Sequence, residues 1–519
     1  MQRLDWENLS RLLLSPDRRI AAAAVLIICL AAGGLAGVML GFLGPLMAAA
    51  IIVAAIGALI ALQDVQWGFY AVVAVSALLP FGALPFRLGF TPTFLDVALV
   101  LLFFVWFMRL ITRRQPDFIT SPLAGPVAVF MALAIVAFVA GLAHAPVTSF
   151  VLRHFAEILL GIATFFATVN IIRTLDQAEK IVKALILGGF AAAVIGIILY
   201  IIPREWSIQL LSSLGRFGYP TGGGVLRFIN DDPEGIMRAV STSVDPNTLG
   251  GLFILVGALM LPQLFARKPL FRRRWLVIMF GTVGVCLLLT FSRGSMAGLV
   301  AAAMLLGLLR YRKLLLLILI VAIIVLIIPQ TQDYVLNFAA GLAIEDRSTQ
   351  MRMGEYKDAL TVISRYPLLG VGFAGTPDTD IYLGVANLYL TIAEEMGLVG
   401  LAAFLIAVTT FFVFVWRAVQ RGTVPPTGRG GAKGAHDKAW QQMRVQNTND
   451  RHEALLLGLA AAVAGALVGG VFDHYLFNLE FPHAVSLFWM LMGLAVSVAQ
   501  EKNPANVLDP SQGSGGKLG

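Results

Sequence analysis

The chain has 519 residues, 58% of them hydrophobic and 13% charged, with a mean hydropathy of +0.83. A soluble protein of this length has no interior large enough for that much apolar surface, so the composition excludes a soluble globular fold and indicates an integral membrane protein. The formal net charge of +8 is placed as membrane topology requires, and it does not indicate nucleic acid as a partner.

Apolar runs of roughly 20 residues, the length that crosses a bilayer as a helix, recur along the chain. In order they are 20–43, 46–62, 68–84, 94–111, 123–143, 150–172, 181–202, 247–265, 275–291, 295–309, 314–328, 387–416, 454–472 and 483–499. They predict one all-α, polytopic domain over 1–519 with about 12–14 transmembrane helices. The first run is too long for the apolar part of a signal peptide. Cys29 and Cys286 both fall inside apolar runs and read as small core residues without a disulfide.

The positive-inside rule orients this array. With both termini cytoplasmic, the inside loops are 109–117, 173–180, 266–274, 310–313 and 417–453, and they include RLITRRQ, ARKPLFRRR and RYRK. Eleven of the 38 Lys and Arg then lie outside, which leaves 27 inside. Two outer loops are sizeable, 204–246 and 329–386. The Gly- and charge-rich stretch 417–453 reads as a flexible cytoplasmic loop, and 501–519 as a disordered tail.

The residues that matter chemically are charges on the outer side. Arg293, in TFSRGSMAG (290–298), sits between two long apolar runs. A charge at that depth is costly unless it is paired or hydrated. The competing reading is an arginine that snorkels to the headgroups, but Ser292 and Gly294 favour a tight turn and close approach of other backbone. The outer side also carries Arg87, Arg153, Arg204, Arg216, Arg227, Arg238, Arg347, Arg352 and Arg365, with a single lysine, Lys357. Arginine forks onto phosphate and stays charged. So many positive charges where topology disfavours them point to an anionic ligand; pairing with Asp231, Asp232, Glu345 and Asp346 is the competing account. Arg153 and Glu157 share a helix face and can pair. Asp245, before Pro246, suits an N-cap. DHYLFNLEFPH (473–483) offers His474 as a base. No second cluster at metal spacing accompanies it, so no metal is predicted. Asp378 and Asp380, in DTD, mimic the carboxylate pair of nucleotide-sugar enzymes but fall on the outer side, where nucleotide sugars are absent.

Together DPNTLGGLF (245–253), TFSRGSMAGL (290–299), Arg352 through Tyr356 and Ala359 to PLLGVG (367–372), NLYLTIAEEMGLVG (387–400) and DHYLFN resemble, in order, the O-antigen ligase and O-antigen polymerase superfamily of bacterial membrane glycosyltransferases. The resemblance spans roughly residues 150–495. It implies a GT-C-like helical fold with a large extracytoplasmic loop, in the bacterial inner membrane. It also implies a metal-independent glycosyltransferase without cofactor, whose donor is an oligosaccharide on undecaprenyl pyrophosphate. A chain-length regulator or a flippase is an expected partner. On this basis Arg293, Arg352, Asp245 and His474 are the expected catalytic residues, and Arg153, Arg238, Arg347, Asn387 and Glu395 the expected substrate-binding ones. His474, Asp245 and Glu395 remain alternatives for the base. Ligase members often carry a histidine directly before the asparagine of the Asn-x-Tyr-Leu stretch; here that position is Ala386, which favours a polymerase over a ligase. A transporter of lipid-linked sugars is the rival from another class, but it calls for charges near the midplane and paired halves, and neither is seen.

Overall fold

The structure, a computed structural model, describes residues 64–86, 90–112, 118–229, 232–327, 347–376, 384–422 and 435–501, with a few isolated helical residues before them. The expected spans 20–43 and 46–62, residues 502–519, Arg87, Asp231, Glu345, Asp346 and the pair Asp378 and Asp380 lie outside the described residues, as does the side chain of Arg347.

Fourteen α-helices are described: α1 Gln66–Leu78, α2 Phe94–Ile111, α3 Ala124–Gly141, α4 Ser149–Ile171, α5 Leu175–Ile201, α6 Arg204–Ser212, α7 Pro246–Gln263, α8 Arg273–Leu289, α9 Arg293–Leu309, α10 Lys313–Ile327, α11 Arg347–Arg365, α12 Leu388–Gly422, α13 Ala435–Gly469 and α14 Pro482–Gln500. A two-residue antiparallel hairpin, β1 Arg227–Phe228 with β2 Met237–Arg238, completes the set. Eight helices are long and apolar enough to cross a membrane by length and composition, so the protein is an all-α polytopic membrane protein.

Local chemistry sets the helix ends. α1 stops at Leu78 because Pro80 follows: a proline lacks the N–H a helix needs and restricts its predecessor. Reciprocal side-chain caps open α2, between Thr93 and Asp96, and α5, between Thr174 and Gln177. That cap starts α5 at Leu175, six residues before the apolar run that predicted it.

The polar ties between loops fall into two groups at the helix ends. At one end, loops are tied by Ala83 N to Phe217 O (2.7 Å), Ala239 N to Leu289 O (2.8 Å) and His144 Nδ1 to Val371 O (3.1 Å). At the other, Arg451 pairs with Asp176 (2.9 Å) and Glu179 (2.6 Å), and Arg310 with Glu453 (2.9 Å). α7 and α14 are central, each 94% buried, whereas α2 and α3 are 28% buried and peripheral. Phe130, Phe404, Phe477 and Trp489 fill the core between α3, α12 and α14. Outward-facing Phe104, Phe107, Val136 and Ile198 remain exposed, as lipid-facing side chains must.

Two expected loops carry helices. The large loop 329–386 contains α11. The stretch 417–453 is helical where described, because α12 runs to Gly422 and α13 begins at Ala435. Periodicity with few apolar residues escapes a hydropathy reading. The loop 204–246 is also built: α6 and the hairpin enclose a small core of Leu199, Leu211, Val225, Leu226, Met237 and Val240.

Candidate functional site

The site grows from three helix N-termini at one end of the bundle. α7 is opened by Asp245, whose Oδ1 accepts from Asn247 N (2.9 Å), Thr248 N (2.8 Å) and Thr248 Oγ1 (3.2 Å), with Pro246 as the first helical residue. α9 opens at Arg293 itself, with three residues between it and the end of α8. The two first turns touch: Ser295 Oγ lies 2.9 Å from Ser292 Oγ and donates to Asn247 O (3.4 Å). A Cβ on Gly250 would fall 2.3 Å from Ser295 Oγ, so only glycine allows this approach. Arg238 laces hairpin and helices together, its Nε donating to Thr290 O and its Nη2 to Asn247 Oδ1, both 2.8 Å.

Backbone strain marks the same place. Ser241 (φ 50°), Val244 (φ 59°) and Phe291 (φ 50°) are the described non-glycine residues with left-handed φ. They directly precede α7 and α9. Such residues cost on the order of 1–3 kcal/mol each and persist where surrounding structure fixes them, often at functional sites.

The third N-terminus belongs to α12. Asn387 caps it, its Oδ1 accepting from Tyr389 N and Leu390 N (both 3.0 Å) while its Nδ2 donates to Val471 O (2.9 Å). Leu388 N donates to Gly470 O (2.7 Å) and to Asp473 O (3.1 Å), and Tyr356 Oη of α11 reaches Val471 O (3.3 Å). The turn 470–475 is therefore gripped by α11 and α12. On its other side it meets α9. A Cβ on Gly294 would lie 2.6 Å from Phe472 Cβ. Deeper, Gly298 faces the carbonyl of Gly465 at 2.6 Å and Gly465 that of Gly298 at 2.7 Å, measured from an added Cβ. Small residues four apart on both α9 (Gly294, Gly298) and α13 (Gly465, Gly469) allow backbone-to-backbone packing. The expectation of a tight turn and close approach at SRG is met.

This turn presents Asp473, His474 and Tyr475. Asp473 keeps 14% of its side chain exposed and His474 keeps 19%, with Nδ1 and Oδ1 3.8 Å apart. Burial pushes the Asp473 carboxyl above its ordinary value; the neighbouring Asp245 charge adds to this, while His474 and Arg352 oppose it. The Tyr475 hydroxyl is likewise pushed up by burial and then by Asp473 and Asp245. Arg352, Asp245, Asp473 and His474 thus form one electrostatic cluster, with Arg238, Arg293 and Asn387 on the elements that frame it. Helix N-termini carry partial positive charge from unsatisfied N–H groups. The α9 N-terminus with Arg293, together with Arg238 on the hairpin and Arg352 on α11, surrounds two carboxylates, an arrangement suited to an anion next to a proton acceptor.

Other expected site residues lie elsewhere. Arg153 belongs to a second cluster, on α4. It pairs with Glu157 (3.6 Å), donates to Thr91 O and contacts His154 Nε2 (2.6 Å), while His154 Nδ1 lies 3.0 Å from Glu157. The Arg153–Glu157 pair is the one that their spacing on one helix face allows. Glu395 sits eight residues into α12, about 12 Å along the axis from Asn387, where the helix kinks at Gly397 (φ 68°). The carbonyls of Glu394 and Glu395 accept from Val371 N (2.8 Å) and Gly372 N (3.0 Å). The PLLGVG segment is docked into that kink. Ala386 donates its N–H to Glu355 Oε2 (3.1 Å). Among the described residues no group of three His, Cys, Asp or Glu is arranged to hold a metal ion. Asp473 is the functional candidate that sequence reasoning passed over. It stands beside His474 in DHYLFN, but nothing local shows that it is enclosed next to Asp245.

Residues 276–405, a quarter of the chain, match the family model described as O-antigen ligase. This match supports the likeness to the O-antigen ligase and polymerase superfamily. It runs from α8 to the middle of α12 and includes Arg293, Arg352, Asn387 and Glu395. No curated protein matches the chain significantly. The O-antigen ligase segment supports an enzyme for glycosyl transfer of the ligase or polymerase type, acting on a lipid-linked oligosaccharide as a multi-pass inner-membrane protein. Asp245, Asp473 and His474 lie outside the segment, yet the charge of its Arg352 acts on Asp473.

Proposed function

We propose that the protein is a polymerase that extends a surface polysaccharide at the outer leaflet, using a glycan on undecaprenyl pyrophosphate as donor. The supporting observation is the meeting of Arg352 and the α7, α9 and α12 N-termini around the Asp245–Asp473 pair. In this reading Arg293, Arg352 and Arg238 hold the pyrophosphate. A hydroxyl of the acceptor sugar attacks the donor's anomeric carbon, forming a C–O bond as the bond from that carbon to the phosphate oxygen breaks. The departing undecaprenyl pyrophosphate gains negative charge, which fixed arginines and helix N-termini stabilise. Asp473 takes the acceptor's proton, with His474 beside it. Asp245 is committed to capping α7 and supplies a fixed partner. Arg153 is left a structural role. The pyrophosphate linkage already carries the activation, so chelators should leave the rate unchanged.

The alternative is a ligase that transfers the glycan to a lipid A-core or other acceptor; the family description favours it, whereas Ala386 favours the polymerase. Purified protein in nanodiscs, given a short glycan on undecaprenyl pyrophosphate, should yield a ladder of longer lipid-linked products. Arg293→Ala and Arg352→Ala should each lower that yield about 10²–10³-fold at unchanged membrane abundance. Full activity in both variants would refute the site. A single transfer to an added acceptor, without a ladder, would mean a ligase.

A further inference from the structure

A small cavity lies between α1, α7, α14 and the residues Tyr475 and Leu476 that follow the turn. Its polar lining is Ser76, Ser243, Thr248, Tyr475 and His483, and the rest is glycine, leucine and alanine. Its volume is about 10 Å³, room for the centre of a single water. Among the described residues, four of the polar atoms that belong to its lining have no hydrogen-bond partner: Ser76 Oγ, Tyr475 Oη and both ring nitrogens of His483. These residues are each 3% exposed, so bulk solvent does not serve them.

Their positions are built. The Tyr475 ring fits only because residues 251 and 469 are glycines: an added Cβ would come within 2.9 Å of Tyr475 Oη at Gly251 and 3.1 Å at Gly469. The His483 ring is held edge-on by Phe81 (5.2 Å) and Phe481 (6.2 Å). A buried polar group without a partner is costly, and native interiors satisfy such groups with protein or ordered water. One neutral histidine offers a donor and an acceptor, and each hydroxyl offers both. A cavity with that many convergent donors and acceptors, and room for one small molecule, has the chemistry of an internal water site.

We propose that this cavity binds one structural water, held by Tyr475 Oη, Ser76 Oγ and His483. The site goes beyond the transferase reading and does not depend on it. Its connection to the candidate site runs through Thr248, which lines the cavity and donates its hydroxyl to Asp245 Oδ1 at 3.2 Å. The Thr248 oxygen keeps lone pairs to accept from the water. The hydrogen-bonded chain then runs water, Thr248, Asp245, with every donor pointing toward the carboxylate.

The test uses the full chain in nanodiscs and measures no sugar transfer, so its failure is distinct from failure of the proposed function. A cryo-EM map that resolves ordered waters should show density within hydrogen-bond distance of Tyr475 Oη and His483. Ser76→Ala and Tyr475→Phe keep the shape of the lining and each remove one partner. If the water is bound, both lower Tm, because it loses a hydrogen bond. If the cavity is dry, both raise Tm, because an unsatisfied hydroxyl is deleted. An empty cavity in a map that shows waters elsewhere, or a rise in Tm in either variant, overturns the proposal.

Discussion

Asp473 and Asp245 show how two carboxylates can divide one task. Asp245 spends its Oδ1 on two peptide N–H groups and a hydroxyl. Asp473 Oδ1 receives the amide of His474 (2.8 Å), and burial with the like charge of Asp245 outweighs the opposing charges of His474 and Arg352. The balance favours its protonated form. As a base, Asp473 must be ionised, so transfer should rise with pH through the elevated Asp473 value and be lost below it. Asp245→Asn removes the like charge, lowers the proton affinity of Asp473, and should move that limb toward lower pH. A pH–rate profile whose acid limb stays fixed in Asp245→Asn would argue against Asp473 as the base. Asp473→Asn should cost about 10²-fold or more at every pH. Stability carries the opposite sign. A carboxyl raised on folding stabilises the fold below its unfolded pKa, and that contribution is lost as pH rises through its folded value. Asp473→Asn should therefore flatten the fall of Tm with rising pH.

At the scale of elements, the site depends on the crossing of α9 and α13. Gly298→Ala drives a methyl to 2.6 Å from the Gly465 carbonyl, where the helices must separate. A loss of roughly 1–3 kcal/mol is expected, measured as reduced thermal stability in detergent. Transfer should fall as well, since Arg293 lies one turn and a half toward the site on the same helix. Gly281→Ala on α8 meets nothing within 4 Å and should be neutral or stabilising by up to about 1 kcal/mol. The α12 kink is a second joint. Gly397 has φ 68°, and an added Cβ would lie 2.2 Å from Leu368 O. Gly397→Ala should thus reduce the amount of folded protein recovered from membranes far more than Gly281→Ala.

For the whole molecule, the positive-inside rule leads us to expect the Asp245 end of the bundle on the outer side. Substituted cysteines test this on a background lacking Cys29 and Cys286. A cysteine at the exposed Ser213 should react with a membrane-impermeant maleimide in intact spheroplasts. One at the exposed Lys268 should react only after permeabilisation. The reverse pattern would place the candidate site in the cytoplasm and rule out an outer-leaflet donor. Burial also separates roles: α7 and α14 are enclosed while α2 and α3 meet lipid, so polar substitutions on the outer faces of the latter, such as Phe107→Asp, should block insertion rather than catalysis.

Much of this was legible in the sequence, because the rules involved are local. Bilayer thickness sets the span length, charge asymmetry sets the expected orientation, and a capping residue such as Asp245 announces a helix start within four positions. The approach of Gly294 was readable for the same reason. What the chain could not state by itself is which ends meet. Arg153 and Arg293 look alike in sequence, each opening an apolar helix, yet one closes on Glu157 and the other stands beside the first turn of α7. Asp473 and Asp245 are 228 positions apart, and their interaction exists only because α7, α9, α12 and α13 converge. Tertiary packing decided those pairings: in a bundle of similarly apolar helices, the glycines that permit close crossings act between distant segments, and burial, which tunes the charges, is a property of the assembled whole.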